Sequence, residues 1–363
     1  MFHHPLMRCC GLLALAFPTG TLAGNSATLL QAAPAFGTQG NEALIDQGAG
    51  TGNSAGTRLA PLSQTGSNND LSIIQAGTGN RAGTGDSVSG QIAQRSDAGA
   101  GPRANLLALE QMNGANLLRS ALQVTAGGAD VPVNMLKLTQ KGANRIGHAE
   151  QRSVLNVAGN IATLVQDGAR NRVRRLFQES RGSGTAPNEI DATFIGSWNG
   201  RDAFAGAALM PDAPNAGLVQ RGSGNRLELF VDGDRAAFGT RQIGTDNEAR
   251  ITAAGHDLSL ASVQLGDQNR IELQIDGTAS TLGLLQDGSR NRIGGHLSHP
   301  DLFAELTQVG RGNAVDLDVT QTGNRIVTEQ RGPRNHVDIT QATANNTVNV
   351  TQLAGGNSVT VLQ

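Results

Sequence analysis

From Gln220 to Gln363 the apolar and polar positions fall on an eleven-residue grid without a single insertion. Stepping by 11 from Gln220 reaches Val231, Gln242, Ala253, Gln264, Ile275, Gln286, Leu297, Gln308, Val319, Gln330, Gln341, Gln352 and Gln363. Seven positions after each grid point stand Leu227, Phe238, Ala249, Leu260, Ile271, Leu282, Ile293, Ala304, Val315, Ile326, Val337, Val348 and Val359, all apolar. Two positions further on the residues are again mostly aliphatic, as at Leu229, Ile251, Leu273, Leu306, Leu317 and Ile339. The residues between them, such as Arg270, Glu272 and Gln274, are polar. Alternation with a period of two predicts β-strands that bury one face.

The strands are punctuated at fixed places. Two positions after the grid glutamines come Gly222, Gly244, Gly266, Gly288, Gly310 and Gly332, where glycine is expected to permit a positive φ at a tight corner. Five positions after come Asn225, Asn247, Asn269, Asn291, Asn313, Asn335, Asn346 and Asn357, closing the turn. The unit is therefore strand, turn, strand, turn, with two strands in each 22-residue coil. Repeats this regular stack on one another, so the expected fold is all-β: a parallel β-solenoid with amyloid-like stacking, strands about 4.8 Å apart.

Stacking gives the amides a role. The glutamines share the inward parity of Ile275, Leu297 and Val319, and a primary amide carries both donors and an acceptor. Gln220, Gln242, Gln264, Gln286, Gln308, Gln330, Gln341, Gln352 and Gln363, with the asparagines named above, are therefore expected to form inward amide ladders from coil to coil.

Upstream the grid loosens. Gln64 and Gln75 open two Gln-x-Gly-x-x-Asn segments, Gln166 opens a third, and Gln111 and Gln140 open weaker copies. The expected organisation is a signal peptide over residues 1–23, an irregular leader over 24–60, degenerate repeats with loops over 61–215, and the regular solenoid over 216–363. A rival organisation is a disordered leader followed by a separate C-terminal solenoid. The signal reading rests on Arg8, the apolar run from Gly11 to Phe17 and the small-residue site Thr21-Leu22-Ala23. It places Cys9 and Cys10, the only cysteines, outside the mature chain. An exported chain without disulfides needs another source of stability, which a continuous hydrogen-bonded ladder supplies.

Composition fits a narrow interior: 38% hydrophobic, 3% aromatic, 48 glycines and no tyrosine. A net charge of −2 argues against nucleic acid or an anionic membrane as partner, and the mature chain is not expected to insert in a membrane. Arg226, Arg270, Arg292 and Arg325 each follow a repeat asparagine, while Glu228, Glu272, Glu305, Asp316 and Asp338 sit on the outward strand face. These charges read first as a solvated surface, exposed charge being also the usual way of limiting edge association, and alternatively as a specific restraint on assembly.

No catalytic, metal or cofactor site is expected. His148, His256, His296, His299 and His336 are scattered, and the His296-x-x-His299 pair lacks further ligands. The Asp-Gly pairs at Asp232, Asp276 and Asp287 lack the nonapeptide calcium spacing. Aligned carboxylates on a β-helix face could hydrolyse polysaccharide, but these occur without a dense cluster. Thr320, Thr340 and Thr351 are too few for a flat ice-binding array.

The nine full Gln-x-Gly-x-x-Asn copies, at Gln64, Gln75, Gln166, Gln220, Gln242, Gln264, Gln286, Gln308 and Gln330, resemble the repeat of the curlins, the subunits of bacterial curli amyloid fibres. The resemblance covers the C-terminal 144 residues closely. It implies a non-enzymatic subunit that polymerises with itself on the surface of a Gram-negative-type bacterium. It further implies passage through the periplasm and a dedicated outer-membrane pore, with chaperones and a nucleator as partners, and a role in biofilm, cell aggregation and adhesion. The chain is longer than curlins and lacks their turn aromatics. It reaches its last residue on the grid, at Gln363, which reads as an open edge that another copy extends. The alternative expectation is a monomeric secreted β-solenoid that binds or hydrolyses a polysaccharide.

Overall fold

A strand with one apolar face has nothing to pack against within its own short coil except the strand that follows it around the turn. The computed structural model resolves this by winding the chain into two facing parallel sheets. It describes residues 12–16, 25–27, 29–32, 41–48, 52–56, 62–66, 69–83, 92–97, 103–126, 133–154, 159–168, 171–181, 188–196, 199, 217–233, 235–278, 280–298, 302–320, 323–342 and 345–363. Alternate strands go to alternate sheets. The first sheet stacks Leu12–Ala16, Glu42–Gln47, Asn69–Ala76, Arg103–Gly114, Val133–Gly142, Asn160–Asp167, Ile190–Ile195, Leu227–Asp232, Ala249–His256, Ile271–Thr278, Ile293–Ser298 and Asp318–Val319. The second stacks Leu30–Ala32, Ser63–Thr65, Ile92–Asp97, Leu117–Ala126, Arg145–Val154, Val173–Arg181, Gly217–Val219, Ala237–Thr240, Ser259–Ala261, Thr281–Leu282, Phe303–Glu305, Arg325–Val327 and Thr347–Asn349. The short strands Gly288–Ser289 and Gly310–Arg311 pair along one turn column. This is a parallel β-solenoid: among the described residues there is no helix, and neither main sheet closes on itself.

The register follows the grid. Leu227 pairs with Ala249, Ala249 with Ile271 and Ile271 with Ile293, each one coil apart. The positions expected to face inward are buried from Leu227 to Val337, with Val348 half-buried and Val359 exposed. Each Leu or Ile so buried contributes roughly 1.5–3 kcal/mol. The core between the sheets is narrow, and one aromatic contact interrupts its aliphatic run. Phe194 and Phe238 meet across it with ring centroids 4.8 Å apart and planes tilted by 47°.

The stack extends further toward the N-terminus than the grid suggests. Within 24–60, expected to be irregular, Leu30–Ala32 and Glu42–Gln47 are strands of the two sheets, and Gln47 and Asn53 are buried. Within 61–215 several strands are longer than any in the regular block, reaching twelve residues at Arg103–Gly114. Inside the segment read as a signal, Leu12–Ala16 pairs with Glu42–Asp46. The rest of that segment, with Cys9, Cys10 and the expected cleavage site, lies outside the described residues, as do 182–187, 197–198 and 200–216.

The turn glycines need a correction. Gly222, Gly244, Gly266, Gly288, Gly310 and Gly332 do not take a positive φ; the following residue does, at Ser223 (89°), Thr245 (91°), Asp267 (89°), Ser289 (110°) and Arg311 (94°). In the Gln220 and Gln242 turns the corner is turned one residue later than expected; in the later turns Gln264, Gln286, Gln308 and Gln330 take a positive φ as well, so left-handed backbone also precedes the glycine. A Cβ at Gly244, Gly288 or Gly310 would meet its nearest atom at 3.8 Å, so space is not the constraint there. Gly255 differs: its φ is +125° and a Cβ would sit 2.0 Å from the Gly233 carbonyl oxygen on the coil below. Gly255→Ala is therefore expected to lower stability by at least about 2 kcal/mol, whereas Gly244→Ala is tolerated within about 0.5 kcal/mol. Urea midpoints of the two variants measure the difference, and equal midpoints would refute the assignment.

Candidate functional site: the stacked amide columns

A buried primary amide needs partners for two hydrogens and an oxygen, and the second sheet meets this need vertically. Gln220 Nε2 donates to Gln242 Oε1, and the same bond recurs from Gln242 to Gln264, Gln286, Gln308, Gln330 and Gln352, at 2.5–3.1 Å. The second hydrogen goes to a backbone carbonyl six residues on: Arg226 from Gln220, Glu248 from Gln242, Arg270 from Gln264 and Arg292 from Gln286. That carbonyl lies across the Gln-x-Gly-x-x-Asn turn. The amide thus closes its own turn while tying it to the next coil. Gln220 through Gln330 are buried, and Gln352 is partly exposed.

The asparagines form a second column at the entry to the first sheet. Asn247 Nδ2 donates to Asn225 Oδ1, and Asn269, Asn291, Asn313, Asn335 and Asn357 each donate to the asparagine one coil earlier, at 2.6–3.0 Å. Here the N–H bonds point toward the preceding coil, while the glutamine N–H bonds point toward the following one. The two dipole columns run in opposite senses. Within each column the aligned amides polarise one another, which strengthens the bonds cooperatively.

Three expected members stand apart from these columns. Gln341 is buried with neither amide atom bonded, Asn346 Oδ1 accepts no bond, and Gln363 is exposed. For Gln341 the preceding coil offers no amide, since the grid position there is Val319. The columns continue upstream through Gln64, Gln75, Gln111, Gln140 and Gln166, already marked as repeat copies, and through further residues that the grid did not identify. In the first sheet Gln75 donates to Gln47, Gln111 to Gln75, Gln140 to Gln111 and Gln166 to Gln140, spanning 28, 36, 29 and 26 residues. In the second sheet Gln31, Gln94, Gln123, Gln151 and Gln178 continue the column of Gln64 and Gln220. Asn41, Asn69, Asn105 and Asn134 form the upstream asparagine run, and Asn160 and Asn188 extend the downstream one to Asn225. The spacing of 11 from Gln140 to Gln151 was a usable signal for one of these.

Outward-facing charges pair between and within coils. Arg250 bonds Glu272 one coil on at 3.2 Å, Arg270 reaches the same carboxylate at 3.5 Å, and Arg292 reaches Asp316 at 3.4 Å. These exposed pairs contribute at most about 1 kcal/mol each. His148 Nε2 lies 2.9 Å from Glu150, and this hydrogen bond holds the Glu150 carboxyl below its usual value against the opposing effect of burial. Burial raises the carboxyls of Asp191 and Glu305, and a second carboxylate adds to each rise: Glu228 beside Asp191 and Glu329 beside Glu305. His296 faces Asp318 at 3.8 Å and His336 faces Asp316 at 3.6 Å. Among the described residues no group of three or more His, Cys, Asp or Glu is arranged to hold a metal; His299 lies outside them.

Comparison of the chain with protein-family models, curated proteins and solved structures finds no match.

Two outcomes follow from these columns. Gln264→Leu removes the bonds from Gln242 and to Gln286 and leaves one buried Gln242 amide hydrogen without an acceptor, while Gln286 Oε1 keeps the Arg270 N–H, so it is expected to destabilise by about 2 kcal/mol. Gln268→Leu, whose exposed amide bonds only Asp246, should change stability by less than about 0.5 kcal/mol. Equal urea midpoints for these two variants would show that the ladder carries no stability. The second outcome concerns pH. Folded-state values raised above the unfolded ones mean that the contribution of Asp191 and Glu305 is fully present below the unfolded carboxyl value. It is lost as pH rises through the folded value. The double variant Asp191→Asn, Glu305→Gln should therefore be more stable than the parent at neutral pH and no more stable in acid. An offset independent of pH in denaturant titrations would contradict this cause.

Proposed function

We propose that this chain is a secreted structural subunit whose activity is polymerisation, self-assembling into extracellular curli-like amyloid fibres for biofilm matrix, cell aggregation and surface adhesion. The observation that carries this reading is the recurrence of one bonding unit from Gln220 to Gln352: the same amide, with a parallel register that advances by 22 residues. A coil of one copy stacked on a coil of another meets donors and acceptors in the arrangement it already uses within its own chain. Strand addition of this kind needs no new interface chemistry. The resemblance of the nine repeats to the curlin repeat supports the same reading, and with it a nucleator, chaperones and a secretion pore as partners.

One surface feature favours a second reading, a monomeric solenoid that binds polysaccharide. Gly294 places no side chain between Glu272 and Asp316 on the outer face, leaving a groove of about 570 Å³ lined by Arg250, Arg270, Glu272, Gln274, Arg292 and His296. Its arginines and amide could hydrogen-bond sugar hydroxyls. Hydrolysis would need a carboxyl pair free to act as acid and base, and both Glu272 and Asp316 are held by arginines.

Incubating the purified mature chain while following thioflavin fluorescence and fibre diffraction separates these readings. Polymerisation predicts a fluorescence rise and a meridional reflection at about 4.7 Å. A persistent monomer without that reflection would sink the fibre reading, and retention of that monomer on immobilised glycan would establish the second.

A further inference from the structure

The glutamine column of the second sheet does not keep one direction along its length. Gln31 Nε2 donates to Gln64 and Gln64 to Gln94, at 2.9 and 2.7 Å, so these N–H bonds point toward the following coil. Gln151 donates to Gln123 and Gln178 to Gln151, at 2.9 and 2.8 Å, pointing toward the preceding coil. From Gln220 onward the direction reverses again. The column therefore contains two reversals, one between Gln94 and Gln123 and one between Gln178 and Gln220.

At the second reversal two carbonyl oxygens face each other. The register that pairs Phe177 with Val219 sets Gln178 on the level before Gln220. Both side chains are at most 1% exposed, and neither Gln178 Oε1 nor Gln220 Oε1 receives a hydrogen bond. Turning either amide over does not repair this. Gln178 Nε2 also donates to the Glu189 carbonyl at 3.1 Å, and Gln220 Nε2 to the Arg226 carbonyl at 2.8 Å. Each flip would place an oxygen against a backbone oxygen and against the amide oxygen of the next glutamine in the column. The first reversal has the opposite character. Gln94 pairs in register with Gln123, Gln94 Nε2 is buried without an acceptor, and Gln123 Nε2 donates to the Met135 carbonyl at 3.0 Å. Two nitrogens meet there.

We propose that each reversal is a binding site for one internal water molecule, which bridges Gln178 Oε1 to Gln220 Oε1 by donating both hydrogens and accepts from Gln94 Nε2 at the other reversal. Water is the small species that serves both sites, since it carries two donors and two acceptors. A monovalent cation would suit only the facing oxygens, and two carbonyls cannot replace the several oxygens of its hydration shell. An anion would suit only the nitrogens. The bridge at Gln178 and Gln220 joins two ladders of opposite sense, so the run from Gln220 to Gln352 polarises as a unit separate from the upstream glutamines.

The site lies within the coil and does not depend on whether the chain polymerises. Solid-state NMR on the full chain, with glutamine labelled at the side-chain carbonyl carbon, reads it as magnetisation transfer from long-lived water. Transfer to Gln178 and Gln220, with Gln264 and Gln286 at least fivefold weaker, is the expected result. It should be unchanged when sodium and potassium are replaced by choline. Equal transfer to all four carbonyls, or transfer to none, would overturn the proposal. Loss of the Gln178 and Gln220 signals in choline would also overturn it, by identifying a cation in place of water.

Discussion

A buried primary amide has three hydrogen-bonding groups, and a 22-residue coil two strands wide can satisfy only some of them. One hydrogen of each glutamine reaches the carbonyl across its own turn, as Gln264 reaches Arg270. The other hydrogen and the oxygen have partners only on neighbouring coils. An amide left unpaired in such an interior costs about 1–3 kcal/mol per group, comparable with the gain from burying a leucine. The coil is thus stable as a member of a stack, and the rest of the architecture follows from that requirement.

Register is the first consequence. Sliding one coil by a single residue would turn Leu227 and Leu229 outward and carry Glu228 into the core, and it would also break the Gln and Asn columns at once. The apolar stripe and the amides therefore specify the same alignment by independent means. The narrow core is the second consequence. Glutamine and medium aliphatics alternate as grid residues between the two half-coils, so bulky rings are not needed to fill the space. Where a ring does enter, at Phe194, it replaces the first-sheet glutamine that would have followed Gln166 in register, and Gln166 Oε1 is left without a donor. Ladder and aromatic packing exclude one another at that position.

Much of this was legible from residues alone in the regular block. There the coil length is constant, so period, strand parity and the partners of Gln242 or Asn269 can be read from spacing. Upstream, successive first-sheet glutamine partners lie 26 to 36 residues apart, because loops of unequal length intervene, and a fixed grid passes over Gln47 and Gln178. The first-sheet amide bonds there still form at 2.7–2.9 Å, since loop length outside the ladder has little bearing on pairing within it. Two features were not legible at all. The shift of positive φ from Gly244 to Thr245 depends on how the turn seats against the coil below. The direction of an amide ladder depends on which hydrogen meets the backbone carbonyl, and a glutamine reads the same in sequence whichever way it points.

Direction bears on cooperativity and on assembly alike. A ladder gains from length only while its dipoles agree, so the uninterrupted glutamine run from Gln220 to Gln352 and the asparagine run from Asn160 to Asn357 concentrate that gain in the regular block. The two runs point oppositely, which offsets their dipoles and lets each lengthen without building a net field along the axis. An added coil extends both on equal terms. The outward charges add little to this balance: Arg250 and Glu272 pair across coils in water, where screening keeps such contacts weak and reversible. Cohesion along the axis thus resides in the interior, so a chain of this design can vary its exposed charges widely while the amide columns remain constrained.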